Sequence, residues 1–184
     1  MTRLAFLASY NGSSAKAIVQ ACQDGILSAE PVLMLSNNKD AKVLQWATDA
    51  GLHAHHTSGQ DEEVLKSLQD HKIDMVILSG YMKLIGQKTI RDYPNKIINI
   101  HPALLPKYGG KGMYGSHVHK AVKESGDTVT GPTIHYVDEV YDNGAIIAQK
   151  EIPVLPEDTA ETIEDKVKAA EPEFYVETLK KIII

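Results

Sequence analysis

The chain has 184 residues, of which 43% are hydrophobic and 23% are charged, and its formal net charge at pH 7 is −5. This length can bury a core in one domain over residues 1–184, and the composition is typical of a soluble globular protein. The acidic balance argues against a nucleic-acid-binding surface, and no apolar run reaches the length of a membrane-spanning helix.

The cysteine content and the N-terminal pattern bear on the cellular compartment. Cys22 is the only cysteine, so no intrachain disulfide can form. It lies on the apolar stripe of a predicted helix, which favours a buried structural thiol over a nucleophile. The N-terminal apolar run Leu4–Ala8 is too short for the core of a signal peptide and lacks a cleavage pattern. We therefore expect a cytoplasmic protein.

Strand and helix patterns alternate along the first part of the chain. Continuous apolar runs predict strands, and apolar residues spaced i, i+3, i+4, i+7 predict helices. The predicted strands are Leu4–Ala8, Pro31–Ser36, Leu52–His56, Met75–Leu78 and Lys96–Ile100, and the predicted helices between them are Ser13–Asp24, Ala41–Ala50 and Asp61–Asp70. This order predicts an α/β fold of the Rossmann-like kind, in which a mostly parallel sheet carries helices on both faces.

The pattern changes after Pro106. The next predicted elements are a glycine-rich stretch, a helix and two strands: Gly109–Gly115, 117–124, Thr128–Val137 and Ala145–Ile152. The closeness of the two strands predicts an antiparallel C-terminal edge on the sheet. The glycine-rich stretch is either a flexible connection or a lid that closes over bound substrate.

The last predicted helix has marked signals at its start and in its middle. Asp158, with Glu161 three residues later, forms an Asp-headed version of the capping box. Pro172 cannot continue a helix without the loss of a hydrogen bond. We therefore expect a kink at Pro172, or a new helix that has this proline at its first position.

The most informative motif lies where the strand Lys96–Ile100 ends. Asn99 and His101 are two residues apart, so on a strand they point to the same face. Pro102 disfavours the α region for His101 and keeps it extended. An amide donor for a developing oxyanion beside a proton-carrying imidazole suits attack on a carbonyl group. An isolated Asn-x-His is equally compatible with a polar strand end that only caps a turn.

The first loop is a candidate phosphate site. Asn11, Gly12, Ser13 and Ser14 lie between the first strand and the first helix. Backbone N–H groups at a helix N-terminus, serine hydroxyls and a glycine that permits close approach suit a phosphate. The loop has neither the dinucleotide fingerprint nor the Walker lysine motif. An ordinary helix-capping turn explains this segment as well as a phosphate site does.

A second candidate is the connection between the two late strands. Asp142-Asn143-Gly144 is first of all a turn signal. If this loop folds back over the carboxyl end of the strand that carries Asn99, Asp142 could orient His101 and favour its charged form.

The clustered histidines raise the question of a metal site. His53, His55 and His56 follow one another closely, and His117 and His119 lie two apart on a predicted helix, so the latter pair should not share a face. No cysteine or carboxylate completes a ligand set at the required spacing. We therefore predict no metal site.

Four stretches, taken in order, resemble the folate-dependent formyltransferases: Ser9–Ser14, Gly80–Ile85, Asn99–Tyr108 and His135–Gly144. The block Asn-x-His-Pro-x-Leu-Leu-Pro is the most specific of them, and together they span nearly the whole chain. The first loop and the continuation Lys107-Tyr108 favour, within this superfamily, the members that act in purine biosynthesis.

The resemblance implies transfer of a formyl group from the cosubstrate 10-formyltetrahydrofolate to the amine of glycinamide ribonucleotide, by a monomer or homodimer with small-molecule substrates and no metal. By position it assigns catalysis to Asn99, His101 and Asp142. It assigns the substrate phosphate to Asn11–Ser14 and a nucleotide contact to Glu171. It assigns folate binding to seven residues: Tyr81, Met82, Lys83, Leu84, Ile85, Glu139 and Val140.

Three other functions stay open. A formyltetrahydrofolate hydrolase would use water as the acceptor and would not need a phosphate loop. A transfer-RNA formyltransferase would need a basic RNA-binding appendage, which we do not expect in this acidic chain. A non-catalytic nucleotide-binding α/β domain would keep the fold without any need for the trio Asn99, His101 and Asp142.

Overall fold

The computed structural model describes residues 1–183. Its strands are β1 (Thr2–Leu7), β2 (Ala29–Ser36), β3 (His53–His56), β4 (Met75–Leu78), β5 (Ile97–His101), β6 (Val129–Thr130), β7 (Thr133–Tyr136), β8 (Ile146–Gln149) and β9 (Ile152–Pro153). Its helices are α1 (Ser13–Gln23), α2 (Lys42–Asp49), α3 (Asp61–Asp70), α4 (Gln87–Asp92), α5 (Ser116–Ser125) and α6 (Ala160–Ile182). Over the described range, none of these helices is long and apolar enough to cross a membrane.

The main sheet has seven strands in the order β3-β2-β1-β4-β5-β7-β8. The five strands from β3 to β5 pair in parallel, whereas β7 is antiparallel to β5 and β8 is antiparallel to β7. The predicted parallel sheet with an antiparallel C-terminal edge is confirmed. The strand order reverses between β1 and β4, and at such a point the loops after the carboxyl ends of the strands diverge and leave a crevice.

Both faces of the sheet are buried. Alternate residues of β1 point to opposite faces: Leu4 and Phe6 belong to a core shared with α1, α2 and α6, whereas Ala5 and Leu7 belong to a core shared with α3. All four side chains are fully buried, and burial of each large apolar one stabilises the fold by about 1.5–3 kcal/mol. The predicted helices on both faces are therefore confirmed, and the strands are held rigidly beneath the loops at their carboxyl ends.

The two late strands are each broken, so the prediction of continuous strands over Thr128–Val137 and Ala145–Ile152 is wrong. The first becomes β6 and β7 and the second becomes β8 and β9, and β6 pairs with β9 in a separate two-stranded sheet. The break falls at Gly131-Pro132. Proline has no N–H for the strand ladder, and a Cβ at Gly131 would lie 1.8 Å from the carbonyl oxygen of Lys150.

Helix α4 has no counterpart among the predicted elements. It is only six residues long, so it offers no apolar stripe to recognise. Its first turn is capped from a distance, because the Asp61 carboxylate accepts hydrogen bonds from the N–H groups of Lys88 at 2.8 Å and Thr89 at 3.0 Å. The signal for this helix is therefore a tertiary contact rather than a local sequence pattern.

The start of α6 differs from the prediction, because Thr159 rather than Asp158 is the N-cap. The Thr159 hydroxyl accepts a hydrogen bond from the Thr162 N–H at 3.2 Å, and the Thr162 hydroxyl accepts one from the Thr159 N–H at 2.9 Å. Asp158 instead forms an ion pair with Lys166 at 2.6 Å. The hydrogen bond from Lys166, followed by that from the Leu155 N–H, lowers the pKa of Asp158 to about 2.

Helix α6 continues through Pro172, so the predicted new helix at this residue is wrong. Proline removes the hydrogen bond to the carbonyl of Lys168 and costs about 3 kcal/mol in a helix interior. Burial of Phe174, Tyr175 and Leu179 in the core shared with α1 offsets this cost. One long helix therefore packs across the sheet.

Cys22 lies near the end of α1. Its side chain packs against the core shared by α1, α2 and α6 but is only half-buried, so the expected buried thiol is buried in part. Burial raises the pKa of its thiol.

Candidate active site

The end of β5 carries Asn99 and His101 on one face of the sheet. The residues that alternate with them, Ile98 and Ile100, pack into the core beneath α1 and α6, so the two polar side chains lie on the opposite side. Asn99 is half-buried, and His101 is only 4% exposed. The amide and the imidazole are thus held by a buried strand and not by a mobile loop.

The loop that follows His101 returns to contact its ring. His101 Nε2 lies 2.8 Å from the carbonyl oxygen of Tyr108, and because a carbonyl only accepts, Nε2 carries a hydrogen. Thr133, which lies opposite His101 on β7, holds the loop in place: its hydroxyl donates to the Ala103 carbonyl at 2.7 Å and accepts from the Leu105 N–H at 3.0 Å. Nδ1 is therefore the ring nitrogen of His101 that can gain or lose a proton.

Asp142 meets this nitrogen from the loop between β7 and β8. Its Oδ2 lies 3.5 Å from His101 Nδ1 and accepts a hydrogen bond from the Gly110 N–H at 2.9 Å. Asp142 has a φ of 52°, in the left-handed region that aspartate tolerates better than most residues. The loop folds back over β5, and the structure brings Asn99, His101 and Asp142 together.

A fourth polar side chain belongs to this group. The register of β7 against β5 places His135 opposite Asn99, and its Nε2 lies 3.2 Å from Asn99 Nδ2 and 3.7 Å from Asp142 Oδ1. Sequence reasoning quoted His135 within a motif but gave it no role. The pairing of β7 with β5 would have identified it, but a register is not readable from two strand patterns alone.

Electrostatics at this group favour a neutral His101. Burial is the largest effect and lowers the pKa of the His101 imidazole. The Asp142 carboxylate and the Tyr108 carbonyl raise the pKa but do not cancel the effect of burial. The expectation that Asp142 favours the charged form of His101 is therefore opposed by burial, which favours the neutral imidazole.

The first loop leads into α1 at the point where the strand order reverses. Gly12 has a φ of 60°, and a Cβ at this position would lie 2.8 Å from Val43 Cγ2, so glycine is required by both conformation and space. The N-cap residue Gly12 has no side chain that could cap α1, although the Ser79 hydroxyl accepts a hydrogen bond from the Ala15 N–H at 3.1 Å. Lys16 Nζ donates to Asn11 Oδ1 at 2.7 Å. An anion at this loop would meet backbone N–H groups, the helix dipole and a nearby lysine.

Asn11 and Ser13 are exposed in this loop, whereas Ser14 is buried. Ser9 links the loop to the segment after β4, because its hydroxyl accepts a hydrogen bond from the Met82 N–H at 2.8 Å. The candidate phosphate loop and the candidate folate segment are therefore neighbours.

The candidate folate segment exposes apolar side chains. Met82 is 49% exposed and Leu84 is 58% exposed, and Val140 in the loop before Asp142 is 61% exposed. Lys83 is exposed as well, whereas Ile85 is buried in the core beneath α3. Large apolar groups at a crevice are typical of a site that binds a flat organic ligand.

Two candidate folate residues have particular surroundings. Tyr81 is half-buried as a residue, but its hydroxyl oxygen is buried and has no hydrogen-bond partner in the described part of the chain. Burial, with the charge of Glu63, raises the pKa of this hydroxyl to about 12. Glu139 Oε1 lies 3.7 Å from Arg91 Nε on α4.

Glu171 lies on α6, on the side that approaches the sheet. Tyr175, one turn later, donates its hydroxyl to the carbonyls of Ile98 at 2.9 Å and Leu78 at 3.3 Å, which fixes this part of α6 against β4 and β5. Burial raises the pKa of the Glu171 carboxyl to about 7, although Lys168 opposes the shift.

Two further histidines lie on α5. His119 is buried and His117 is exposed, so the two do not share a face of α5, as predicted. Across residues 1–183, no cluster of three or more histidine, cysteine, aspartate or glutamate side chains has the arrangement of a metal site.

Comparisons of sequence and of structure with known proteins both find formyltransferases. The family model described as formyl transferase matches residues 2–179. The chloroplastic phosphoribosylglycinamide formyltransferase of Arabidopsis thaliana is 39% identical, and the match covers 98% of this chain but 65% of the plant protein. The phosphoribosylglycinamide formyltransferase of Bacillus subtilis is 34% identical, with 100% and 95% of the two chains covered. The crystal structure of glycinamide ribonucleotide transformylase 1 from Geobacillus kaustophilus superposes with a TM-score of 0.91, 34% identity and full coverage of both chains.

Proposed function

The chain belongs to the formyl transferase family, and on that premise we propose that it transfers the formyl group of 10-formyltetrahydrofolate to the amine of glycinamide ribonucleotide in purine biosynthesis. The observation that carries the proposal is the convergence of Asn99, His101 and Asp142 at the end of β5. The candidate phosphate loop lies one hydrogen bond away from the candidate folate segment. Such a site has the chemistry for both substrates.

The proposed reaction is attack of the amine nitrogen on the formyl carbon. A C–N bond forms, the carbonyl oxygen becomes an oxyanion, and the bond from the formyl carbon to the folate nitrogen then breaks. The attacking nitrogen loses a proton and the folate nitrogen gains one. Asn99 donates an amide N–H to the oxyanion, an interaction that is typically worth about 2.7–4 kcal/mol in the transition state.

Proton movement falls to His101 and Asp142. Because Tyr108 occupies the Nε2 hydrogen, His101 takes up a proton at Nδ1, where it is paired with the Asp142 carboxylate 3.5 Å away. Burial favours the neutral imidazole, which can accept this proton, and the adjacent carboxylate stabilises the imidazolium that results. General acid–base catalysis of this kind contributes roughly 10²- to 10⁴-fold.

We assign the nucleotide to the loop Asn11–Ser14 and to Glu171. The phosphate would accept hydrogen bonds from the loop N–H groups at the start of α1. Glu171 would accept hydrogen bonds from ribose hydroxyls, since an ionised carboxylate has only acceptors.

We assign 10-formyltetrahydrofolate to the segment that runs from Tyr81 to Ile85 and to Glu139 and Val140. The exposed side chains of Met82, Leu84 and Val140 supply apolar area for the pterin ring. Lys83 supplies a positive charge for a folate carboxylate.

The acceptor distinguishes the proposed transferase from a hydrolase of the same family. A hydrolase needs no anion site, whereas this chain has a glycine-dependent loop at the N-terminus of α1, where the N-cap residue Gly12 has no capping side chain. A non-catalytic domain would have no use for a buried histidine paired with a carboxylate.

The test is to incubate the protein with 10-formyltetrahydrofolate, with and without glycinamide ribonucleotide, and to follow the release of tetrahydrofolate together with formylated nucleotide. We expect release that depends on the nucleotide and matches its formylation. Equal release without the nucleotide would indicate a hydrolase, and absence of release under both conditions would indicate a binding domain.

We also propose that the protein is a cytoplasmic monomer or homodimer that binds neither nucleic acid nor a membrane. We propose that it uses no metal ion, because the amide, imidazole and carboxylate supply the chemistry required. We expect full activity after dialysis against a chelator. Sedimentation should give the mass of one chain or of two, and the protein should be recovered in the soluble cell fraction. Loss of activity that zinc or magnesium restores would contradict the metal-free mechanism.

A further inference from the structure

His135 contacts two members of the proposed catalytic trio and has no place in the mechanism so far. His135 is 2% exposed and lies on β7, directly opposite Asn99 on β5. Its Nε2 is 3.2 Å from Asn99 Nδ2, and its Nδ1 is 2.8 Å from the carbonyl oxygen of Tyr136. Both ring nitrogens are therefore engaged, and on opposite sides of the ring.

The contact with Tyr136 decides the tautomer. A carbonyl oxygen has no hydrogen to give, so Nδ1 of His135 must donate. A neutral His135 then carries its only ring hydrogen on Nδ1 and presents a lone pair at Nε2. A favourable contact with the lone pair on His135 Nε2 requires a hydrogen-bond donor. Asn99 must therefore turn its NH₂ group, rather than its carbonyl oxygen, towards His135.

An amide side chain of asparagine has two nearly isosteric orientations, and nothing in Asn99 itself chooses between them. With its NH₂ group at His135, one of the two N–H bonds is held by Nε2 and the other is left for a ligand. No further hydrogen bond of the Asn99 side chain occurs over residues 1–183 beyond the one to His135. His135 is thus the group that selects the orientation of the amide.

We propose that His135 is a positioning residue, which orients the Asn99 amide so that its second N–H is available to the oxyanion of the formyl-transfer intermediate. The inference rests on the proposed function, because it assigns Asn99 the role of oxyanion donor. His135 acts only through Asn99 and does not touch the reacting atoms. Asp142 Oδ1, 3.7 Å from Nε2, offers only an acceptor and so cannot replace the amide donor for this lone pair.

The first test is a double-mutant cycle on turnover. His135→Leu removes the acceptor for the amide, and His135→Gln keeps a side-chain oxygen that can accept in its place. We expect His135→Leu to lower kcat roughly 10- to 100-fold, as for other small misplacements of a catalytic group, with KM values near those of the unchanged protein. His135→Gln should restore most of the loss. Combining His135→Leu with Asn99→Ala should cost no more than Asn99→Ala alone.

The outcomes separate positioning from support of the fold. Additive losses in the double variant would mean that His135 acts independently of Asn99, and would overturn the proposal. His53→Leu, on the edge strand β3 at the other side of the sheet, is the matched control for removal of a histidine and should leave kcat unchanged. If Asn99→Ala itself keeps full activity, the oxyanion role in the proposed function fails, whatever His135 does.

A spectroscopic test does not depend on activity or on the leucine variant folding. Long-range ¹⁵N–¹H spectra of the unchanged protein report which ring nitrogen of each histidine carries the hydrogen. We expect the hydrogen of the His135 ring on Nδ1, where it faces the Tyr136 carbonyl, and none on Nε2. A hydrogen on Nε2 would force the Asn99 carbonyl towards His135 and would overturn the assignment.

Discussion

At the scale of single residues, the Asp142 carboxylate lies between two histidine rings. Its Oδ2 faces His101 and accepts the Gly110 N–H, while its Oδ1 faces His135. Solvent screens a charge poorly when a buried ring and a backbone donor lie this close to it. Removal of the carboxylate should therefore change the electrostatic potential at both histidine rings.

Asp142→Asn should lower kcat more than it weakens substrate binding. The carboxylate raises the pKa of His101 against the opposing effect of burial, so its loss should lower the His101 pKa further and make the imidazolium harder to form. NMR titration of the His101 ring in both proteins measures this. A midpoint that moves upward or stays in place would mean that Asp142 acts on something other than the imidazole charge.

Asn99→Ala should lower kcat by about 10²- to 10³-fold, as loss of an oxyanion donor does elsewhere. It should also leave the Nε2 lone pair of buried His135 without its donor, which costs about 1–3 kcal/mol of unfolding free energy. Steady-state kinetics and urea denaturation test the two effects separately. Turnover within a few-fold of the unchanged protein would contradict the oxyanion role.

Glu171 should make stability and binding depend on pH near neutrality. Its folded-state pKa of about 7 exceeds the value in an unfolded chain, so the folded protein binds the extra proton. Stability should therefore fall as pH rises from about 4.5 to about 7, and Glu171→Gln should remove this part of the slope. Denaturant titrations at several pH values decide it, with the exposed Glu173→Gln as control.

Nucleotide binding should lower the raised pKa of Glu171 again. Ribose hydroxyls that donate to Glu171 favour its ionised form, so binding at pH 7 should release protons from the protein. Calorimetry in two buffers of different ionisation enthalpy measures the number released. Equal release by Glu171→Gln would place the titrating group elsewhere.

The elements of the parallel sheet could be predicted from sequence, because their signals are local. Met75–Leu78 and Asp61–Asp70 are predicted with the bounds that the structure has, since a buried apolar run and an amphipathic stripe each carry their own signal. Helix α4 and the break at Gly131 could not be predicted. The first depends on the distant carboxylate of Asp61, and the second depends on the approach of Lys150.

Asp61→Ala should loosen α4 without loss of the fold. It removes the acceptor for the N–H groups of Lys88 and Thr89, and loss of a helix cap costs typically about 1 kcal/mol. Urea denaturation measures the change, and hydrogen exchange at Thr89 locates it. Glu62→Ala, at the neighbouring exposed carboxylate, should cost less. Equal losses in the two variants would contradict the capping role.

Strand β5, which carries the candidate catalytic residues, shows the same division between local and tertiary signals. The shared face of Asn99 and His101 follows from strand periodicity, and the resemblance to formyltransferases indicated Asp142. His135 could not be assigned, because its position opposite Asn99 is a property of the pairing between β5 and β7. Thr159 replaced Asp158 as the cap of α6 because Lys166 engages the aspartate, which is likewise a contact outside the local motif.

The glycine-rich stretch Gly109–Gly115 is tied to the site at one point, where the Gly110 N–H donates to Asp142. The exposed Lys111 follows immediately. If the stretch is a lid, trypsin should cleave after Lys111 quickly in the free protein and slowly with glycinamide ribonucleotide and a folate analogue bound. Equal cleavage rates with and without the two ligands would leave a flexible connection as the explanation.

On the scale of the whole molecule, the two cores hold β1, β4 and β5 side by side in the sheet, and candidate loops extend from their carboxyl ends. The α/β class and the antiparallel edge could be predicted because the order of elements changes visibly after Pro106. That residues 1–184 form one domain stays a prediction. The distances among the candidate groups depend on the turns between elements, where the sequence signals are weakest.

The half-buried thiol of Cys22 on α1 allows opening motions of this helix to be measured from the rate of its chemical labelling. Cys22 is the only cysteine in the chain, so an alkylating reagent has one target. Only the thiolate reacts, and burial raises the pKa of this thiol, so modification should proceed slowly and through transient exposure of the helix. Because α1 begins at Ser13, directly after Gly12, a ligand that tightens the loop should be registered at Cys22 as a slower rate of labelling, without any introduced probe.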